Sequence, residues 1–335
     1  MLPQIMAAAR RASEVYRDSG VKERVEQGGY TRVDPFLVAG KERIPVLLRP
    51  LDKLLGAFIR DDVSGILINS ERSAGLIHMT CAHELGHYFM GHGTTADDSL
   101  DYGPQAARHE QEADWFAYQL MVPRALLAYV MRRKGWTMQS LADPRLLYQL
   151  SLRLGISYTA AAWSLARHKL MAPTEVKRLL KVQPLAIKEE LLAGQAFDAR
   201  KEVWLLDERD RDSVLEPRAE DRMVLRLKSH ASAGYLWSLD ELASEGFEIR
   251  PTLAPSKEAI PTDTVFGGFT TAEFLLSHEM VGATDSPAVL AMEEVRPWAK
   301  EKPASTFEAK TLFEGVSPGL TSIAKQQLLG ESSAA

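Results

Sequence analysis

Two histidines four residues apart, with a glutamate directly after the first, are the residues best suited to chemistry in this chain: His83-Glu84-Leu85-Gly86-His87. On a helix, His83 and His87 stand one turn apart, so both imidazoles leave the same side and can bind one ion. Glu84 sits beside them without needing to be a ligand. It can take a proton from water on the metal and later pass it to a leaving amine. Zinc suits these donors and lowers the pKa of its water to about 7, which makes a nucleophile available at neutral pH. A catalytic zinc takes three protein ligands and keeps one position open, so a further ligand is required. The long-spaced metalloprotease arrangement would need Gly three and His six residues after His87, where this chain has Met90 and Gly93. His92, beyond Gly91 at the helix end, is not favoured as the third ligand.

A better source is the run His109-Glu110-Gln111-Glu112-Ala113-Asp114-Trp115-Phe116-Ala117. Its apolar residues Ala113, Phe116, Ala117 and Leu120 define a buried stripe at helical spacing. Glu110 lies near that stripe, and Glu112 points away from it. Asp114, four residues after Glu110, stacks beside it and is placed to hold the outer ring nitrogen of a ligating histidine. The reading is therefore Glu110 as third ligand, Asp114 behind a histidine, and Glu112 as the alternative ligand. A solvated acidic face is the competing interpretation.

The elements that must position these groups follow from the pattern. Residues 1–26 read as an amphipathic helix. Strand-like runs follow at 43–48 and 65–69, the second after the turn-rich Arg60-Asp61-Asp62. A helix from about Ser73 to Met90 is closed by Gly91 and Gly93, and a polar loop spans 92–105. A second helix runs to Met121 and stops at Pro123. From Ala125 to Leu180 the pattern is helical, broken at Gly135, Pro144, Gly155 and Pro173. Charged residues crowd 198–222, and alternating runs such as Met223–Lys228 then predict strands. The expected organisation is a metal-binding α+β domain over 1–125, a helical module over 126–184, a β-rich domain over 185–318 and a flexible tail over 319–335.

Taken together, Thr80-Cys81-Ala82-His83-Glu84-Leu85-Gly86-His87, Glu110–Ala117 and its ending Leu120-Met121-Val122-Pro123 resemble the ImmA/IrrE metallopeptidases. Gly65-Ile66-Leu67-Ile68-Asn69 resembles the strand beside their cleft, and the resemblance covers roughly 30–180. It implies a gluzincin-like zinc endopeptidase with one Zn2+ on His83, His87 and Glu110 and Glu84 as general base. Several members cleave helix-turn-helix repressors, which implies a protein substrate of that class and a role in transcriptional regulation. An exposed edge strand near 65–69 would pair with an extended substrate.

The stretch Leu146–His168 resembles a helix-turn-helix, with Gly155 at the turn and Ser157 as N-cap. Between 131 and 181 there are ten Lys or Arg against Asp143 and Glu175, an imbalance that could face phosphates. Ala160, Ala161 and Ala162 offer little base-reading chemistry, so a bundle that supports the peptidase or docks a repressor is favoured over DNA binding.

Farther on, Gly234-Tyr235-Leu236-Trp237, Phe266-Gly267-Gly268-Phe269 and Arg296-Pro297-Trp298 resemble, in order and separation, the three loops of chagasin-type cysteine-protease inhibitors. That implies an immunoglobulin-like β-sandwich over about 200–315, with Tyr235, Trp237, Gly267, Gly268, Arg296 and Trp298 as protein-binding loop residues. Where those inhibitors carry Asn-Pro-Thr-Thr, this chain has His230-Ala231-Ser232-Ala233, so a recognition or regulatory module is preferred to inhibition.

Composition adds boundaries. With 335 residues the chain suits two or three domains, and 45% hydrophobic with 25% charged residues is ordinary for a globular protein. Its net charge of -5 selects neither a nucleic-acid binder nor an acidic tail. The single cysteine, Cys81, excludes an intrachain disulfide and implies a reducing compartment. No window approaches the apolar length of a membrane span, and the first residues lack a secretory pattern, so the cytoplasm is expected. The favoured function is a zinc endopeptidase acting on a specific protein. The alternatives are a non-catalytic regulator binding DNA or protein, and a protease inhibitor.

Overall fold

The computed structural model describes residues 3–97, 107–252, 270–278, 286–299 and 301–332. The N-terminal segment forms two helices, α1 (Pro3–Asp18) and α2 (Val21–Glu26), in place of the one expected. Gly20, at φ 76°, supplies the left-handed turn between them. The next helix, α3 (Pro35–Lys41), starts where the Asp34 carboxylate accepts from the Phe36 and Leu37 amides at 2.8 and 3.3 Å. Strands β1 (Val46–Arg49), β2 (Gly56–Ile59) and β3 (Gly65–Asn69) lead into α4 (Ala74–Met90), the helix of the histidine motif. Then come β4 (Thr95–Asp97) and α5 (Arg108–Met121).

Four helices follow: α6 (Arg124–Lys134), α7 (Pro144–Leu154), α8 (Tyr158–Arg167) and α9 (Pro173–Leu179). Asp143 caps α7, Gly155 ends it at φ 66°, and the Ser157 hydroxyl accepts from the Ala160 amide to open α8. Beyond α10 (Pro184–Leu191), the chain turns to strands β5 (Val203–Asp207), β6 (Val214–Leu215), β7 (Arg222–Ser229), β8 (Leu236–Leu239) and β9 (Phe247–Pro251). It continues with β10 (Thr270–His278), β11 (Ala288–Val295) and β12 (Ser305–Thr311), and closes with β13 (Gly319–Leu320) and α11 (Ser322–Ser332).

These elements, a mixed α+β set, condense into two compact units. The first holds residues 1–131, 138–180 and 316–335, and the second 132–137 and 181–315. The helical stretch 138–180 thus packs within the same unit as α4 and α5.

In the first unit a five-stranded sheet runs β13-β1-β3-β2-β4, with β1 parallel to β3 and the other pairs antiparallel. Two expectations are corrected here. The strand at 65–69 is central, paired by β1 on one side and β2 on the other, and β4 and β13 are the edges. Its Ile66 and Ile68 are buried, as a continuous apolar run allows for a strand covered on both flanks. Nor is 319–335 a free tail over its described length. Leu320 and Gly319 pair with Leu47 and Leu48, and α11 packs on α3 with Gln327 donating to the Gly40 carbonyl.

The core of this unit is α4. Ile77, Met79, Cys81, Ala82 and Leu85 are at most 1% exposed, and so are His83, Glu84 and His87. A helix enclosed on all faces is held by packing from every side, here α5, β2, β3 and α3. Burial raises the Cys81 thiol well above its usual pKa, in keeping with a small buried hydrophobe.

The second unit holds two four-stranded sheets, β5-β7-β10-β9 and β6-β12-β11-β8. Alternation along β12 buries Phe307, Ala309 and Thr311, and Leu225, Leu227, Leu276, Leu290 and Phe313 complete an apolar interior. Among the described residues, no helix is long and apolar enough to cross a membrane.

Candidate metal centre

Helical period alone sets His83 over His87 on α4, and their Nε2 atoms lie 3.0 Å apart. The third group comes from α5. The Glu110 Oε2 is 3.1 Å from His83 Nε2 and 3.6 Å from His87 Nε2. Among the described residues these three form the one group whose donor atoms converge, all within 4.8 Å of each other. Ligands about 2.0–2.1 Å from a tetrahedral zinc stand about 3.3 Å from one another, close to the three separations seen. The donor set of two imidazoles and a carboxylate is one that zinc accepts.

The close approach of the two helices depends on Gly86. A Cβ there would lie 2.8 Å from Ala113 Cα and 2.9 Å from the Ala113 carbonyl oxygen, so α4 meets α5 backbone to backbone. Glycine inside a helix costs about 1 kcal/mol relative to alanine, a cost offset here by a contact that no side chain could permit.

Asp114, one turn after Glu110, sets the other side of His83: its Oδ1 is 2.9 Å from His83 Nδ1. A carboxylate accepts only, so Nδ1 carries the proton and Nε2 presents a lone pair to the ion. Burial raises the Asp114 pKa above its ordinary value, against the lowering by His83 and Arg167. Burial also works against the Glu110 charge, but the adjacent His83 and His87 rings outweigh it and hold this carboxyl well below the usual range. The second Glu110 oxygen, Oε1, faces His109 Nε2 at 3.0 Å.

Glu84 is fully buried between α4 and the sheet. Gly56, which opens β2, leaves it room: a Cβ there would sit 2.7 Å from Glu84 Oε1 and 2.5 Å from Thr80 Cγ2. From the edge strand β4, Thr95 Oγ1 reaches Glu84 Oε2 at 3.5 Å. Sequence reasoning missed β2, β4 and both of these neighbours, since four- and three-residue strands leave too short a pattern to read.

Glu112, the alternative ligand, does not join the converging atoms. It is buried, contrary to its place on a wheel drawn from α5 alone, because the end of α4 covers it. Its Oε2 faces His92 Nε2 at 3.1 Å and its Oε1 accepts from Arg108 Nε at 2.9 Å. Burial would raise the Glu112 pKa, but Arg108 and His92 hold it below the ordinary value. His92 in turn lies with its Nδ1 2.9 Å from His87 Nδ1, away from the metal-facing nitrogens.

In the second unit, Tyr235, Arg296 and Trp298 come together. The Arg296 guanidinium lies 4.4 Å from the Tyr235 ring centre, and its Nε donates to the Ala233 carbonyl. Trp298 is 73% exposed and edges past Gly234, whose φ of 82° and absent Cβ let it approach. Trp237 instead donates its indole N–H to the Lys228 carbonyl at 2.8 Å. The buried Glu294 anchors this turn by accepting from the His230 amide and ring at 2.6 and 2.8 Å. Gly267 and Gly268 lie outside the described residues.

Comparison with known proteins adds three findings. No curated protein matches the chain. Among solved structures, it is similar to the cysteine protease inhibitor EhICP2 from Entamoeba histolytica at 20% identity and a TM-score of 0.27, over 34% of this chain and 97% of that one. It is similar to Amebosin, in a solution structure, at 18% identity and a TM-score of 0.27, over 34% of this chain and 98% of that one. The third finding concerns the segment that carries His83, His87 and Glu110: residues 40–165 match the Peptidase_M78 model, described as an IrrE N-terminal-like domain.

Proposed function

We propose that the chain is a zinc-dependent endopeptidase with a specific protein target, a helix-turn-helix transcriptional repressor being the class that the family resemblance implies. The convergence of His83, His87 and Glu110 beside a buried Glu84 carries this reading. A structural metal site has no need of a carboxylate held in the interior next to its ligands. Zinc bound there would supply Lewis-acid polarisation of water and of the scissile carbonyl. Glu84 takes the proton of the attacking water and delivers it to the leaving amine. His83, His87 and Glu110 would hold the ion, Asp114 fixes the His83 ring, and the burial of α4 excludes bulk water. An extended substrate segment would add to β4, an edge strand of the sheet formed by the described residues, which carries Thr95 next to Glu84.

The second unit is read as an immunoglobulin-like sandwich that recognises or regulates, with Tyr235, Arg296 and the exposed Trp298 as its contact residues. Stretch 138–180 serves as support for the peptidase. In α8, Tyr158, Ala160, Ala161, Ala162, Ser164 and Leu165 are buried, which leaves a narrow face of Thr159, Trp163, Ala166 and Arg167, the last stacked over Trp115 and Tyr118. The test is co-expression with candidate repressors. Wild-type chain should produce discrete repressor fragments, and Glu84→Gln should produce none while keeping its zinc. Fragments of equal yield from Glu84→Gln would refute the mechanism.

A further inference from the structure

His87 has an outer partner unlike that of His83. We infer that His92 and Glu112 form a relay that fixes the tautomer and orientation of His87, as Asp114 does for His83; this rests on the reading of His83, His87 and Glu110 as a metal site. The geometry begins with the end of α4. Gly91, at φ 77°, turns the chain back, with its own amide on the Tyr88 carbonyl at 3.1 Å and the His92 amide on the His87 carbonyl at 2.9 Å. This double bond pattern is the left-handed helix stop that returns the following residue over the last turn. The His92 ring therefore sits against the His87 ring, at 5.0 Å between centres and nearly edge-on.

Proton counting fixes the direction of each bond. Ionised Glu112 only accepts, so His92 Nε2, 3.1 Å away, must carry a proton. A neutral His92 then has a bare Nδ1, which accepts the proton of His87 Nδ1 across 2.9 Å. That leaves His87 Nε2 with its lone pair toward Glu110 and His83 Nε2. The opposite assignment would place a proton on His87 Nε2 and close the metal position. Glu112 is itself held by Arg108, so the relay ends on a fixed charge. His109, 3.0 Å from Glu110 Oε1, steadies the third ligand from outside, so each of the three has its own partner. His92 and Glu112 are positioning residues and touch no reacting atom.

Zinc affinity, measured by competition with a chromophoric chelator on the full chain, tests the relay, together with the visible spectrum of the Co2+-substituted protein. For His92→Leu the expectation is zinc binding weakened by about 10- to 100-fold, the range for losing such an outer partner, with a changed Co2+ spectrum. His92→Asn keeps an acceptor where Nδ1 stood and should restore most of the affinity and the wild-type spectrum. Glu112→Gln, which keeps an acceptor without the charge, should fall between the two. Unchanged affinity in His92→Leu beside a zinc-binding wild type would overturn the relay alone. Equal losses in His92→Leu and His92→Asn, with the apo proteins melting early, would also overturn it, since the residue would then be only structural. A wild type that binds no zinc would overturn the metal site and the relay with it.

Discussion

Two imidazole nitrogens 3.0 Å apart, each bearing a lone pair, repel unless a cation lies between them. Asp114 accepts from His83 Nδ1 and so leaves Nε2 with its lone pair, the state in which an imidazole can take an ion. The residues that do this were readable from sequence to different depths. His83, Glu84 and His87 follow from helix period, and Glu110 and Asp114 from their spacing along one apolar stripe. Glu112 and His92 did not, because their pairing joins a helix interior to the residue after another helix's glycine stop. A wheel drawn on one helix cannot show a neighbour's end. Elsewhere in the first unit, His168 donates its Nε2 proton to the Val122 carbonyl at 2.7 Å, and burial lowers its pKa below the ordinary 6.5. The unfolded chain then takes up this proton first as pH falls. His168 therefore contributes stability above pH 6.5 that is lost as pH drops below 6.5 toward its folded value. In His168→Gln, which keeps the amide donor, the melting temperature should fall less between neutral and acidic pH than in wild type. Identical pH slopes for the two proteins would exclude this contribution.

The crossing of α4 and α5 is the element-scale feature that makes the site. Gly86→Ala would drive a methyl group into the Ala113 backbone, and α5 carries Glu110 one turn earlier. The expected result is a loss of about 1–3 kcal/mol of stability, the usual cost of overpacking, together with weaker zinc binding as Glu110 withdraws. Thermal melts with and without zinc would show both, and a variant that matched wild type in each would contradict the backbone contact. The sequence marked both helices to within a few residues, since their apolar stripes are long. Strand neighbours were less legible: Gly65–Asn69 has the same apolar run whether central or at an edge, and only the pairing of β1 and β2 to its two sides decides. The basic excess at 131–181 also changed meaning in the structure. Arg145 pairs with Asp143, Arg178 with Glu175, Arg153 is buried on Gln149, and Arg167 stacks over Trp115 and Tyr118. Arg153 and Arg167 are thus held by packing, and Arg145 and Arg178 by local pairs at the surface.

At the scale of the molecule, the division into two units cuts across the expected boundaries. Residues 132–137 fold with the second unit, where the Lys134 ammonium, 3% exposed, meets Asp207 at 2.7 Å and Asp210 at 2.6 Å. Asp210 is equally enclosed, at 2% exposure. Lys134→Met would take the ammonium away from that buried carboxylate, which costs about 3–5 kcal/mol. The unfolding transition of the second unit should move to lower denaturant while that of the first stays; an unmoved second transition would contradict the pairing. A contact between residues so far apart in the chain has no local signature, so the sequence could place a basic run there but not its partners. The claim on which the whole account turns is that three side chains from α4 and α5 hold one ion. Elemental zinc analysis of wild type, Glu84→Gln and Glu110→Ala, purified side by side, tests it most directly. About one zinc per chain in the first two and a large deficit in the third is the predicted result; full zinc in Glu110→Ala, or none in wild type, would contradict it.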